Sequence, residues 1–238
     1  MTNRILTPAV LGMCIALCSV GHSGEPARNL RSDIKATRIL FLGNSITRHP
    51  PLANIGWTND WGMAASALEL DYVHVLANSL AQLTGHKPEV LPANIADFER
   101  NFGTYDVNAK LKDQFDFKAD LVIVAIGENV QALASEEAKT QFKTCFTTLL
   151  TALKNNGQPT LIVRSCFWAD KTKDELIQRA CAAAGGVFVD ISALGKDESN
   201  YARSERSFTH AGVAAHPGDK GMKAIADALL NAIKGSAK

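Results

Sequence analysis

RILFLGNSIT, residues 38–47, runs from an apolar, strand-like stretch directly into Gly43, Asn44 and Ser45. A strand buried on both faces reads as a continuous apolar run, and parallel sheets are built from such strands. In open α/β sheets the loops at the carboxyl ends of the strands carry the chemistry. Ser45 is therefore the first candidate functional residue.

The rest of the chain repeats that unit. Residues 121–126 (LVIVAI), 160–165 (TLIVRS) and 187–191 (VFVDI) are short, apolar and rich in β-branched residues, and 89–91 is a weaker strand candidate. Helical patterns lie between or after them, over 62–83, 136–155, 173–184 and 220–233, the third stopped by Gly185 and Gly186. Strands alternating with helices predict a three-layer α/β/α sandwich around a mostly parallel sheet of about five strands, joined by right-handed crossovers. No repeat, low-complexity tract or internal linker interrupts the pattern.

Length and charge narrow the function. A chain of 238 residues with 46% apolar content can bury one good core and is short for two full domains. The formal net charge is +1, from 25 basic and 24 acidic residues spread without long runs. That balance lacks the electrostatic footprint of a nucleic-acid or anionic-membrane partner and favours a small or neutral one.

The N-terminus reads as an export signal over 1–23. Arg4 supplies a positive charge, residues 5–20 are almost uninterruptedly apolar, and Ser19, Val20 and Gly21 offer small residues for a signal peptidase. Cleavage leaves no stable membrane anchor and places the protein in the periplasm or outside the cell; an uncleaved anchor is the competing reading. Leu17 precedes Cys18 where lipid attachment needs a small residue. A polar segment, 24–36, follows. Loss of the leader removes Cys14 and Cys18, leaving Cys145, Cys166 and Cys181, an odd number without zinc spacing that reads as small core residues. No metal or cofactor is expected.

Three strand-end or pre-helix loops carry unusual residues: Gly43-Asn44-Ser45, Gly127-Glu128-Asn129 and His216-Pro217-Gly218. Parallel strands end on one edge, so these loops can converge. Serine needs a neighbouring base to attack a carbonyl, and a neutral imidazole suits that role. The tetrahedral intermediate needs fixed donors, which the Asn129 side-chain amide and the Ser45 N–H can provide. Each residue also has an ordinary reading: Ser45 as an N-cap, Asn129 as a turn residue, His216 as an exposed loop histidine. A phosphate-binding loop at 43–47 is disfavoured, because the glycine spacing of the common phosphate fingerprints is missing.

GNSIT, IGEN and HAGVAAHPGDKGM, taken together and in this order, resemble the first, third and last blocks of the SGNH (GDSL-type) hydrolase superfamily, over residues 39–222. The resemblance implies a flavodoxin-like fold, an esterase domain over 37–238, catalytic Ser45 and His216, and Asn129 in an oxyanion hole. The family's second block contributes a glycine N–H; here that stretch is PANIAD, 92–97, with Ala96 as the positional equivalent and Asn94 as the other candidate. The family's aspartate, three residues before the histidine, is replaced by Val213. Asp219, Asp170, Asp60 or a main-chain carbonyl could hold His216 instead, and a Ser45–His216 dyad is slightly favoured because Asp219 is equally suited to capping a helix.

Trp57 and Trp61 lie amid Asn and Asp shortly after Ser45. They read either as a sugar-binding platform or as plugs for the mouth of the core. Trp168 follows the strand at 160–165 and is a further candidate for the pocket border. The expected function is that of an exported serine esterase removing acyl groups, most plausibly acetyl, from a carbohydrate. The alternatives are a lipid esterase or thioesterase and a non-catalytic glycan-binding domain.

Overall fold

Side chains on strand β1 (Arg38–Gly43) are buried on both faces: Ile39 and Phe41 point into one core, Leu40 and Leu42 into another. That period of two, with no polar face, forces helices onto both sides of the sheet. The computed structural model describes Met1, Arg31 and residues 34–235, so the expected leader over 1–23 and most of 24–36 lie outside the described residues. Strands β2 (Glu89–Asn94), β3 (Leu121–Ala125), β4 (Thr160–Arg164) and β5 (Val187–Val189) join β1 in the order β2-β1-β3-β4-β5, every neighbouring pair parallel. This is the doubly wound order of flavodoxin-like sheets, whose switch point falls between β1 and β3.

On one face pack α1 (Tyr72–Thr84) and α8 (Asp219–Lys234), through Leu76, Leu80, Met222, Ile225 and Leu229. The other face is covered by α2 (Ala96–Asn101), α5 (Glu136–Asn155) and α6 (Lys171–Ala183), through Phe98, Phe142, Phe146, Leu150 and Ile177. Short helices α3 (Val107–Lys110), α4 (Lys112–Asp116) and α7 (Ala211–Ala214) complete the chain. Among the described residues no helix is long and apolar enough to cross a membrane.

Two expectations change. The helix expected over 62–83 begins only at Tyr72. Asp71, 1% exposed, is its N-cap and accepts from His74 N at 2.8 Å and from Gly62 N at 3.3 Å. The small residues before it instead form a wall beside the serine loop: Met63 N donates to Ser45 O, and Ala64 adopts a left-handed φ of 72°. Strand β2 runs past the expected 89–91 to Asn94, through Pro92. A proline is tolerated there because β2 is an edge strand and needs one set of ladder bonds.

The register aligns the functional loops. Gly43 at the end of β1 lies opposite Asn94 of β2 and Ala125 of β3, so the three strands finish level. A Cβ on Gly43 would collide with the Thr47 side chain, which is bonded to the Tyr72 hydroxyl at 2.7 Å. Gly127 has a φ of 142° and Cys166 Sγ against its open face. Both glycines are thus required by close approach at the sheet edge.

Candidate active site

Ser45 lies in a tight turn after β1, where Thr47 and Arg48 donate to Asn44 O and Ile46 N donates to Asn44 Oδ1. No helix starts there, so the N-cap reading of Ser45 falls. Its own N–H has no acceptor among the described residues. Its Oγ is 2.8 Å from His216 Nε2, across a sequence separation of 171 residues.

His216 reaches this position because its loop is stapled on both sides. Ala202 N donates to His216 O, and Gly218 N donates to Asn200 O. Glu205 takes the first N–H groups of α8, from Asp219 and Lys220, both at 2.8 Å. An anionic side chain at a helix N-terminus satisfies orphan donors and complements the dipole. Val213, where the family pattern has its aspartate, is buried among Trp57, Met63, Ala64 and Ala202.

The group facing His216 Nδ1 is the main-chain carbonyl of Gly212, at 2.7 Å. The three carboxylates considered from sequence are engaged elsewhere. Asp219 accepts from Ser66 N and Oγ and faces Arg206, Asp170 caps α6 through Lys173 N, and Asp60 forms a two-point pair with Arg48. Because a carbonyl can only accept, the neutral ring carries its proton on Nδ1 and presents the Nε2 lone pair to Ser45. Burial pushes the His216 pKa down to about 4, the Gly212 carbonyl opposing that shift. The Trp168 ring meets the imidazole edge-to-face, centroids 5.3 Å apart.

Asn129 does not satisfy its own turn. Its Nδ2 donates to Glu99 Oε2 at 2.6 Å and its N–H to Glu99 Oε1 at 3.1 Å. Asn44, next to Ser45, donates its Nδ2 to Glu99 Oε1 and to Glu128 Oε2, so both loops close on one buried carboxylate pair. Arg164, fully buried, bonds Glu128 Oε1 at 2.6 Å. Burial raises the Glu99 pKa, with Glu128's charge adding to the rise. Burial also opposes ionisation of Glu128, but Arg164 and the Phe167 N–H outweigh it and hold that carboxyl below its usual range.

The remaining candidates divide. The Ala96 N–H donates to Asn94 Oδ1 at 2.9 Å, so its use toward a substrate requires exchanging that bond; Asn94 Nδ2 is held by Arg48 O. Trp57 is 4% exposed, packs with Met63, Ala64, Ala202 and Val213, and has its indole N–H on His49 O, so it offers little open face for a sugar ring. Trp61, half-buried, donates to Ala65 O and packs edge-on against Trp57. Cys145, Cys166 and Cys181 are free thiols. Glu99, Glu128 and Arg164 escaped sequence reasoning, although an arginine inside the apolar strand TLIVRS was a signal, since a buried charge demands a partner. Glu99 had no comparable signal.

No family model matches the sequence, and no curated protein matches it. Solved structures do match in fold. A GDSL-like lipase from Bacteroides uniformis aligns with a TM-score of 0.53 at 10% identity, over 84% of this chain and 96% of its own. A family two carbohydrate esterase from Cellvibrio japonicus aligns at 0.51 and 17% identity, over 85% of this chain and 62% of its own. An acetyl xylan esterase from the rumen bacterium Butyrivibrio proteoclasticus aligns at 0.50 and 14% identity, over 85% and 64%. The chain thus spans just under two thirds of each carbohydrate esterase. Its fold is that of the SGNH (GDSL-type) hydrolases, a three-layer α/β/α sandwich around a five-stranded parallel sheet.

Proposed function

We propose that the protein is an exported serine ester hydrolase that removes acyl groups, chiefly acetyl, from a carbohydrate. The observation that carries this reading is the 2.8 Å contact of Ser45 Oγ with His216 Nε2, on an imidazole whose other nitrogen faces an acceptor. Ser45 Oγ attacks the ester carbonyl carbon while its proton passes to Nε2. The tetrahedral intermediate then expels the alcohol, which takes that proton; water, losing a proton to the same imidazole, attacks the acyl-serine, the acyl carbon–Oγ bond breaks, Ser45 recovers the proton and the carboxylic acid leaves. The oxyanion is met by the Ser45 N–H and the Asn129 amide, with the Ala96 N–H as a third donor once released from Asn94. The carbonyl of Gly212 orients His216 but brings no negative charge to the imidazolium, so Ser45 and His216 work as a dyad. No metal or cofactor enters the reaction.

Carbohydrate as substrate is supported by the carbohydrate esterases among the fold neighbours and by the export signal read in the sequence. A lipid esterase or thioesterase is the second reading, supported by the GDSL-like lipase neighbours. The test is a panel of acetylated sugars, p-nitrophenyl esters of rising chain length and acyl thioesters, with Ser45→Ala as control. We expect the acetylated sugars to turn over fastest and Ser45→Ala to be inactive yet folded. A preference for long acyl chains moves the assignment to lipids. Sugar binding without turnover, and without reaction with a serine-directed phosphonate, makes the protein a binding domain.

A further inference from the structure

Glu99 is 0% exposed, yet the buried cation nearest to it in the bonding network, Arg164, bonds Glu128 and not Glu99. What holds the Glu99 carboxylate is a set of N–H donors. Oε1 accepts from Gly127 N at 2.6 Å, Asn129 N at 3.1 Å and Asn44 Nδ2 at 3.2 Å, and Oε2 accepts from Asn129 Nδ2 at 2.6 Å. The Gly127 and Asn129 backbone N–H groups can only donate, and an ionised carboxylate accepts from them and from both amides at once.

The consequence for Asn129 is geometric. A terminal amide rotates in a broad, nearly two-fold well, and its carbonyl and NH2 ends are almost the same shape. With one Nδ2 hydrogen anchored on Oε2, the flipped amide would place Oδ1 against a carboxylate oxygen and is repelled. The second Nδ2 hydrogen has no acceptor among the described residues and remains free at the sheet edge where β1 and β3 end. Asn44, adjacent to the nucleophile, is drawn to the same carboxylate, which couples the Ser45 loop to the Asn129 loop.

We propose that Glu99 is a positioning residue for the oxyanion hole: its carboxylate selects the amide orientation in which Asn129 offers an N–H, and ties that amide to the loop of Ser45. This rests on the ester-hydrolase reading. Glu99 touches no reacting atom and acts through Asn129.

The test compares Glu99→Gln, Asn129→Ala and the double variant by kcat and KM on the best ester of the panel, alongside NMR of the 15N-labelled protein. Gln keeps the shape of Glu but sets an NH2 against donors. We expect Glu99→Gln to lower kcat by roughly 10-fold or more, up to the 10²- to 10³-fold range of a lost oxyanion donor, with KM nearly unchanged. The double variant should be no slower than Asn129→Ala, because both changes remove one function. In the wild type one Asn129 side-chain N–H proton should lie well downfield, as a short charge-assisted bond requires, and Glu99→Gln should abolish that shift. A folded Glu99→Gln with wild-type kcat, or losses that multiply in the double variant, overturns the proposal. So does a wild-type Asn129 amide at ordinary shifts, which also decides the matter if Glu99→Gln does not fold. If no ester is hydrolysed but the downfield proton is present and Glu99-dependent, the esterase reading fails while the anchoring of Asn129 stands.

Discussion

In the proposed mechanism His216 combines two properties that are usually in tension, deep burial and a role as base. With its pKa pushed down to about 4, it remains neutral over the whole range in which an ordinary histidine titrates. His216 should therefore set an acid limb of kcat/KM near pH 4 and not near 6.5, below the limb that protonation of Glu99, whose pKa burial raises, would impose through Asn129; a half-maximal point near 6.5 that survives in Glu99→Gln would show that burial does not govern this ring. The same shift bears on stability. Between pH 6.5 and 4 the unfolded chain binds a proton at this histidine that the folded chain refuses, so stability rises with pH through that window and is flat above it. The contribution lost on acidification is at most about 3 kcal/mol, which urea titrations at pH 7 and pH 4.5 on wild type and His216→Gln would reveal as a smaller pH dependence in the variant. The carboxylates make the complementary case. Asp60→Asn and Asp170→Asn should leave kcat/KM within a few-fold of wild type, since one holds an exposed arginine and the other a helix N-terminus. A drop of about 10⁴-fold in either folded variant would identify a hidden triad acid.

At the level of elements, chain segments near the site are held by side chains that cap helices. Asp71 ends the irregular wall at 62–71 and opens α1, receiving Gly62 N, His74 N and His74 Nδ1. Asp71→Ala removes a nearly buried acceptor with several donors, so it should cost more than an exposed cap, about 2 kcal/mol or above, read as a lower denaturant midpoint at constant m. It should also slow turnover, because the wall carries the Met63 N bond to Ser45 O. Glu205 has the corresponding place at α8. Glu205→Ala should lower kcat through misplacement of His216, while the core residues of α8 keep the helix docked.

Across the whole molecule, stability resides in the two cores on either side of the sheet, whereas the candidate site is confined to one edge. Phe146, fully buried, packs against Phe142 and Phe98 in the core on the α5 side of the sheet. Phe146→Ala should cost about 3–5 kcal/mol of unfolding free energy, with kcat per folded molecule little changed. A variant that loses activity in proportion to kcat while keeping its denaturant midpoint would contradict this separation of core and site. The position of the site follows from strand order: β1 and β3 are neighbours although β2 intervenes in sequence, and their following connections diverge, which opens a crevice beyond their ends.

Most of the architecture was legible in residues alone, because burial on both faces of a parallel sheet imposes apolar runs that glycine and small polar residues interrupt at the strand ends. Strands β1, β3, β4 and β5 carried that signature and the edge strand β2 only weakly, the helix at 136–155 showed its own periodicity, and Ser45, Asn129 and His216 fell in loops that could meet. The start of α1 was misread because Met63, Ala64 and Ala65 have helix-forming composition, while the backbone bond to Ser45 and the capping carboxylate of Asp71 are tertiary and local-polar effects that outweigh propensity. Trp57 was ambiguous for a similar reason: an indole has the same chemistry in a core and on a platform, and only its neighbours decide. What holds His216 was beyond sequence, since a main-chain carbonyl belongs to every residue and Gly212 carries no mark that its oxygen faces Nδ1. Glu99 was equally silent. Its four donors come from two loops, after β1 and after β3, and only folding brings them to one carboxylate.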